Sequence, residues 1–347
     1  MKTVNIGVIG AGGIATNAHL PAYKKCEAAN VVAIADINET ALEKARTEFD
    51  IPHGFTDYRE LLAMEEIDAV SICTPNFMHK EPAIAAMRAG KHVLCEKPLA
   101  MNAEEGEEIV AVSKETGKQC MVGFVSRFGA DAQTLKRFID AGELGEIYYG
   151  RAQYLRRRGI PGWGVFGQKD KQGGGGLIDL GVHALDLALW LMGYPKPVSV
   201  SGISVAKFGT REGVVGLMGQ WDVNTFTVED FGAGFIRFEN GSVLLLESSF
   251  CLNMKPESFR QIELFGDQGG ATIEPVAIYA EKYGVLTDLT PAHVPPTKGF
   301  ELEIAAFVEA VANGTPVPIP AENGVVVSKI IDGIYKSSEL GREVVIG

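Results

Sequence analysis

Val4-Asn5-Ile6-Gly7-Val8-Ile9-Gly10-Ala11-Gly12-Gly13-Ile14-Ala15 begins as an apolar strand-like run, turns on glycine and opens onto a helix-compatible stretch. The pattern is G-x-G-x-x-A placed between a strand and a helix. The first glycine permits a tight turn, and the second lets the backbone approach a pyrophosphate. A small third position allows close helix–strand packing, with the phosphates at the helix N-terminus. Gly10, Gly12, Gly13, Ile14 and Ala15 are the residues such a ligand would meet. By itself the motif carries little, because glycine-rich turns are common; its surroundings decide.

Val31-Val32-Ala33-Ile34-Ala35-Asp36 is a second buried-strand run, and Asp36 falls where an acid that binds the adenosine ribose belongs. Ile37 and Asn38 follow, with no adjacent arginine to take a 2′-phosphate, so NAD is expected rather than NADP, with Asp36 and Ile37 among its contacts. The competing account of Asp36 is an N-cap for a helix starting at Glu39. Asp68–Cys73 reads as a strand running into Thr74-Pro75-Asn76, and residues 80–89 as a helix ending at Gly90. His92–Glu96 is another strand, broken by Lys97-Pro98. Residues 103–116 form a helix closed by Gly117, and Gln119–Val125 is a further strand. Continuous apolar strands alternating with helices specify a doubly wound parallel α/β sheet, whose ligands bind outside the strand C-terminal ends. Gly10–Ala15, Asp36, Thr74–Asn76 and Glu96–Lys97 all fall at those ends.

The chain of 347 residues is ample for a large core and for two domains. A formal charge of −12 argues against nucleic acid or an anionic membrane surface as the main partner. Met1-Lys2-Thr3 enters the first strand pattern at once, without the apolar region and cleavage site of a secretory signal, and no apolar run approaches a membrane span. Cys26, Cys73, Cys95, Cys120 and Cys251 are odd in number and lack metal-type spacing. Reduced thiols in a cytoplasmic protein without a metal are the simplest reading.

Two further segments carry chemistry. Glu96-Lys97-Pro98 at a strand terminus places an ammonium group at the mouth of the cofactor cleft. There Lys97 would lower the pKa of a substrate hydroxyl or act as a base itself, unless it is an ordinary surface lysine. Gly173–Gly176 leads into a helix from Leu177 to Trp190, on which Asp179, His183, Asp186 and Trp190 recur at helical spacing among leucines. A carboxylate one turn from a histidine fixes its tautomer and raises its basicity, the anatomy of a general base. The alternative is an Asp N-cap with a hydrogen-bonded core histidine.

Gly10–Ala15, Thr74-Pro75-Asn76 with His79, Glu96-Lys97-Pro98 and Gly176-x-x-Asp179-x-Gly181-x-His183-x-x-Asp186 occur in that order. With them the chain resembles the glucose–fructose oxidoreductase/inositol dehydrogenase/MocA family over essentially its whole length. The resemblance implies a Rossmann domain, a C-terminal domain whose open sheet serves as an oligomer interface, and a nicotinamide-dependent dehydrogenase acting on a sugar or cyclitol. On matching positions it implies Lys97 as the catalytic lysine and Asp179 with His183 as the catalytic pair. Asn76 and His79 match positions that line the cofactor ribose and phosphates, and Thr74 and Glu96 are counted with them. Ala15 departs from the third glycine, at a position that needs only smallness.

The domains expected are residues 1–125 for NAD and 126–347 for substrate binding and oligomerisation, with C-terminal helices packing back on the first. Phe231–Phe238 and Ser242–Phe250 flank the hairpin turn Glu239-Asn240-Gly241, and Gln261–Phe265 and Ala271–Glu274 flank Gly266–Gly270. A large, mainly antiparallel open sheet in an α+β domain is expected, with helices at Glu301–Val311 and Val325–Leu340. Arg127, Arg156, Arg158 and Trp163 are substrate-binding candidates beside Lys97, Asp179 and His183, since guanidinium donors suit hydroxyls and an indole face suits a sugar ring. The competing readings are a salt-bridged structural Arg127 and a solvated arginine face.

The expected reaction is oxidation of a secondary or anomeric ring hydroxyl of a sugar, glycoside or cyclitol such as inositol, in a homodimer or homotetramer. The rivals are a redox-assisted glycoside hydrolase that recycles tightly bound NAD, and a non-catalytic nucleotide sensor.

Overall fold

Apolar runs without alternation form strands covered on both faces, and Val4–Ile9 (β1) is one: Val4, Ile6, Val8 and Ile9 are all buried. The structure is a computed structural model that describes residues 3–346; the reading of Met1 and Lys2 as the approach to β1 lies outside the described residues. The chain divides into two units, Met1–Phe128 with Lys298–Val325 and Gly129–Thr297 with Val326–Gly347.

In the first unit β1 is joined by β2 (Ala29–Ala35), β3 (His53–Phe55), β4 (Ala69–Ile72), β5 (His92–Glu96) and β6 (Cys120–Gly123). Their order is β3-β2-β1-β4-β5-β6, and every pairing is parallel. The order reverses direction at β1 and β4, which makes the crevice above their C-terminal ends the topological switch point. Helices at Glu39–Glu48, Lys80–Arg88 and Ala103–Thr116 connect the strands, the last capped by the Asn102 side chain and closed by Gly117 in the left-handed region. Asn38, not Asp36, caps the helix that starts at Glu39, accepting the amides of Thr40 and Ala41. The competing account of Asp36 therefore fails. From the chain's later part, the helix Gly299–Asn313 belongs to this unit, and Pro320 bridges Met121 at the edge of β6.

The second unit holds β7 (Ile147–Arg156), β8 (Pro197–Val205), β9 (Phe231–Phe238), β10 (Val243–Ser249), β11 (Ser258–Gly266), β12 (Gly269–Ile273), β13 (Val276–Lys282), β14 (Val285–Leu289) and β15 (Val344–Val345). They form one sheet in the order β14-β13-β12-β11-β7-β10-β9-β8-β15, antiparallel except where β7 meets β10. The α/β architecture expected from the sequence, a doubly wound parallel sheet and a large mainly antiparallel one, is what the chain adopts. Ala152, Ile236, Leu244, Leu246, Ile262 and Leu264 line the sheet's buried face, against which the helix Val182–Leu191 lies. One correction concerns hydropathy. The segment Lys169–Leu191 is long and apolar enough to cross a membrane by length and composition, against the expectation that no apolar run approaches a membrane span. With 83% of its apolar window buried inside the protein, it belongs to the core of this unit.

Candidate active site

At the end of β1 the chain turns on Gly10, whose φ of +100° lies in the region that favours glycine. A Cβ there would also stand 2.7 Å from the carbonyl oxygen of Cys73. Around the Cβ position of Gly12, by contrast, no described atom lies within 4 Å, so the backbone is open to an approaching ligand. Gly13 and Ile14 begin the helix and Ala15 is fully buried, which is why only a small residue fits at the third position. The helix widens into a π-turn over Ala15–His19 before continuing as Leu20–Lys25.

Asp36 closes the far side of the turn. One carboxylate oxygen accepts the amide of Ala11 at 2.7 Å and the other that of Asn38 at 2.8 Å. A cavity of about 500 Å³ opens beside it, lined by Ile9, Gly10, Gly12, Asp36, Ile37, Thr74, Pro75, Phe77, Met78 and Pro82 among others. Apolar walls, one fixed acid and a glycine turn without side chains suit an adenine, its ribose and a pyrophosphate. Gly10, Gly12, Asp36, Ile37 and Thr74 are thus brought together as expected from the sequence. Asn76 starts the short 3₁₀ turn Asn76–Met78 just beyond the cavity wall, and Thr74 Oγ1 donates to the Met78 carbonyl at 2.9 Å to hold that turn.

Two expected cofactor contacts are instead braces beneath the site. His79 is fully buried, and its Nδ1 and Nε2 face the carbonyls of Pro98 at 2.7 Å and Thr74 at 2.9 Å. Burial pushes its pKa down. Its ring is packed between the loop after β4 and the loop after β5, with a single N–H in the neutral form to donate to one of the two carbonyls. Glu96 is likewise buried: Oε1 pairs with His19 Nε2 at 2.8 Å, and Oε2 accepts the Lys97 amide at 3.1 Å. His19 Nδ1 lies 3.3 Å from Ser71 Oγ, which is also bonded to Tyr23 Oη at 2.7 Å. A buried polar chain therefore runs from the helix after the glycine turn to the strand end that presents Lys97, itself half-buried ahead of a cis Pro98. The sequence reading missed His19; its signal was a polar ring on the buried face of the first helix.

In the second unit, Asp179 and His183 sit half-buried on successive turns of a helix that starts as a π-turn, Leu177–Gly181, and continues as Val182–Leu191. The expected stripe divides beyond them. Asp186 is fully buried and accepts the hydroxyl of Tyr194 at 2.6 Å, while the Trp190 ring faces the Lys136 ammonium at 5.6 Å.

The arginine candidates are largely taken up by the protein. Arg158 donates to the carbonyls of Arg157 and Leu252 and to Asn253, and stacks over Phe208. Arg156 donates to the Gly159 carbonyl and the Met218 sulfur, over the ring of Tyr154. In the first unit Arg127 is buried and donates to Asn323. Arg156 is the last residue of β7 and Arg158 lies past its end, and both guanidinium groups hold the loops around them. Trp163 keeps an exposed ring, 55% accessible and set edge-on to Phe166.

A glycine turn and a fixed carboxylate at the switch point of a six-stranded parallel sheet, joined in one chain to a nine-stranded mixed sheet, fit a two-domain NAD-dependent oxidoreductase. The chain belongs to the GFO/IDH/MocA family: residues 4–124 match its oxidoreductase domain with an NAD-binding Rossmann fold, and residues 132–272 its C-terminal domain. It is 37% identical over 342 residues to D-glucoside 3-dehydrogenase of Escherichia coli (strain K12), covering 98% of this chain and 97% of that one. It is 29% identical to levoglucosan dehydrogenase of Pseudarthrobacter phenanthrenivorans, covering 97% of each. A solved structure of levoglucosan dehydrogenase with NADH and L-sorbose superimposes with a TM-score of 0.87 at 25% identity, over the full length of both chains.

Proposed function

We propose that this oxidoreductase removes hydride from a ring carbon of a sugar glycoside, with C3 of a D-glucoside as the position of choice. The whole-length 37% identity to a D-glucoside 3-dehydrogenase carries the reading, in preference to a cyclitol such as inositol. NAD, when bound, supplies the hydride acceptor at its nicotinamide C4. The chain's own residues supply the rest. Gly10, Gly12, Asp36 and Thr74 hold the adenosine and pyrophosphate. Absence of an arginine after Asp36 favours NAD over NADP. Lys97 stabilises the alkoxide that develops as the hydroxyl ionises, and His183, oriented by Asp179, accepts the hydroxyl proton. The C–H bond breaks with its electron pair leaving as hydride, and the carbon is left as a carbonyl. Trp163 offers an exposed face to a sugar ring.

We further infer that a second copy covers the sheet of the second unit. Its less buried face carries Phe235, Val243, Leu245, Tyr149 and Phe265 in register, with the Tyr149 and Phe265 rings stacked at 5.4 Å.

The test is NADH absorbance with purified protein and NAD or NADP against methyl D-glucosides, free sugars and cyclitols, with products identified. A 3-keto glucoside formed with NADH is the expected result. Glycoside consumed without net NADH would instead support redox-assisted hydrolysis, and binding without any turnover a sensor. His183→Ala is expected to lower kcat by about 10²–10⁴-fold with NAD affinity retained.

A further inference from the structure

Glu229, from the loop just before β9, takes part in none of the contacts above, yet it is 6% exposed and its side chain is fully engaged. Oε2 accepts the Gly175 amide at 2.9 Å, and Oε1 accepts the Leu177 amide at 2.8 Å and the Tyr335 hydroxyl at 3.0 Å. Its backbone carbonyl accepts the Gly176 amide at 3.4 Å. A helix start leaves its first amides without intrahelical partners, and a run of glycines brings no side chain of its own to cap them. Here the cap comes from a carboxylate 52 residues further along the chain.

The glycines are what let it in. A Cβ on Gly174 would stand 2.0 Å from Tyr335 Oη, and one on Gly175 would stand 2.0 Å from the Glu229 carbonyl oxygen. Ser248 Oγ closes the other side by donating to the Gly176 carbonyl at 2.7 Å. Burial pushes the Glu229 pKa up, although the two amides pull the other way. A buried carboxylate adds little net stability over an apolar side chain of similar size, so stability alone gives no reason for one here.

We propose that Glu229, steadied by Tyr335, is the positioning residue of the helix that carries Asp179 and His183, an inference that rests on the function proposed above. Its two oxygens fix two amides on either side of Gly176, which sets both the position and the rotation of the helix start. The π-turn follows at once, with Asp179 two residues past the second bonded amide. A displacement of about 1 Å in a group that must meet a reacting atom costs about 10²-fold in rate.

Kinetics of the full-length enzyme with NAD and a methyl D-glucoside test this. Glu229→Gln turns one acceptor into an NH₂ that opposes an amide; kcat is expected to fall about 10- to 100-fold with the NAD Kd within about twofold. Tyr335→Phe keeps both amide bonds, so its fall in kcat is expected to be smaller, about two- to fivefold, in the same direction. Wild-type kcat in Glu229→Gln overturns the proposal. Should that variant not fold, Tyr335→Phe decides: a lower kcat with unchanged NAD Kd supports it, and wild-type kcat overturns it. His183→Ala separates the two levels. If it keeps wild-type kcat, the proposed function fails; if its kcat falls by about 10²–10⁴-fold while Glu229→Gln retains full kcat, only the positioning role fails.

Discussion

His19 and Glu96 are a buried ion pair whose worth depends on pH. Burial works to lower the His19 pKa, and the neighbouring Cys73 sulfur and Glu96 carboxylate outweigh it, so the net direction is well above the ordinary 6.5. Burial works to raise Glu96, and His19 with Lys97 outweighs it, so its pKa falls below the ordinary 4.5. A raised histidine stabilises the fold fully below its unfolded value and loses that contribution as pH climbs through the folded one. A lowered carboxylate stabilises fully above its unfolded value and loses it as pH drops through the folded one. The pair is therefore at full strength between pH 4.5 and 6.5. His19→Gln leaves a buried carboxylate without its cation, and about 3–5 kcal/mol of unfolding free energy is expected to go. Denaturant titrations across pH check this: the deficit against wild type should be largest in that interval and narrow on the alkaline side. Asp36 acts at the same scale through charge-assisted bonds, each worth about 1.5–3 kcal/mol. On the proposed reading Asp36→Ala removes the ribose acceptor, and it frees the Ala11 amide. Calorimetry should show NAD binding about 10- to 100-fold weaker, a larger loss than for NADP.

Two helices of this protein begin on glycine and widen into a π-turn, at Ala15–His19 and at Leu177–Gly181. The second carries Asp179 and His183, to which the proposed chemistry is assigned, and the first follows directly on the glycine turn; such turns concentrate at functional sites. At the second, Gly175→Ala would press a methyl group onto the Glu229 carbonyl oxygen, and overpacking of that kind costs about 1–3 kcal/mol. A matching fall in unfolding free energy with reduced kcat is expected, whereas Gly90→Ala, where nothing lies within 4 Å but φ is +79°, should cost only strain and leave kcat intact. Elements with a strong local signal were legible in the sequence: β1, β2, β4 and β5 as continuous apolar runs, Gly117 as a helix stop, and the β9–β10 hairpin from Asn240-Gly241. β3 was not, because three residues, His53-Gly54-Phe55, show no pattern. β8 alternates in sequence through Val198-Ser199-Val200-Ser201, but a register shift between Pro197 and Ser199 leaves Val198 exposed and Ser199 buried, so the pattern does not report its faces. Of the site, the glycine turn and Asp36 could be read because their roles are local. Glu229, His19 and the true duties of His79, Arg156 and Arg158 could not, because each is set by a partner distant in sequence or by a loop whose path no local pattern encodes.

For the whole molecule, the sheet of the second unit poses a problem that its own unit does not solve. On one face Leu244, Leu246, Ile262 and Leu264 are buried; on the other, alternating with them, stand Val243, Leu245, Glu263 and Phe265. The latter face is neither plainly polar nor covered, and its polar side chains are bonded to one another in place. Arg151 pairs with Glu263 at 2.8 Å, and Gln153 donates to Glu247 at 2.6 Å. Polar groups already bonded to one another between apolar rows lower the desolvation cost of covering a surface, and a flat sheet face meets its own copy about a twofold axis without new complementarity having to be built. If that face joins two copies, Leu245→Glu sets like charges against each other across the axis. Light scattering is then expected to show the assembly reduced toward monomer, with the unfolding midpoint of the separated chain lowered because oligomerisation stabilises by mass action. An unchanged mass would show that this face is not the contact. The same variant reports on chemistry as well as assembly: retained kcat in the monomer would mean that each chain carries a complete site, and lost kcat that the site is finished only when the sheet is covered.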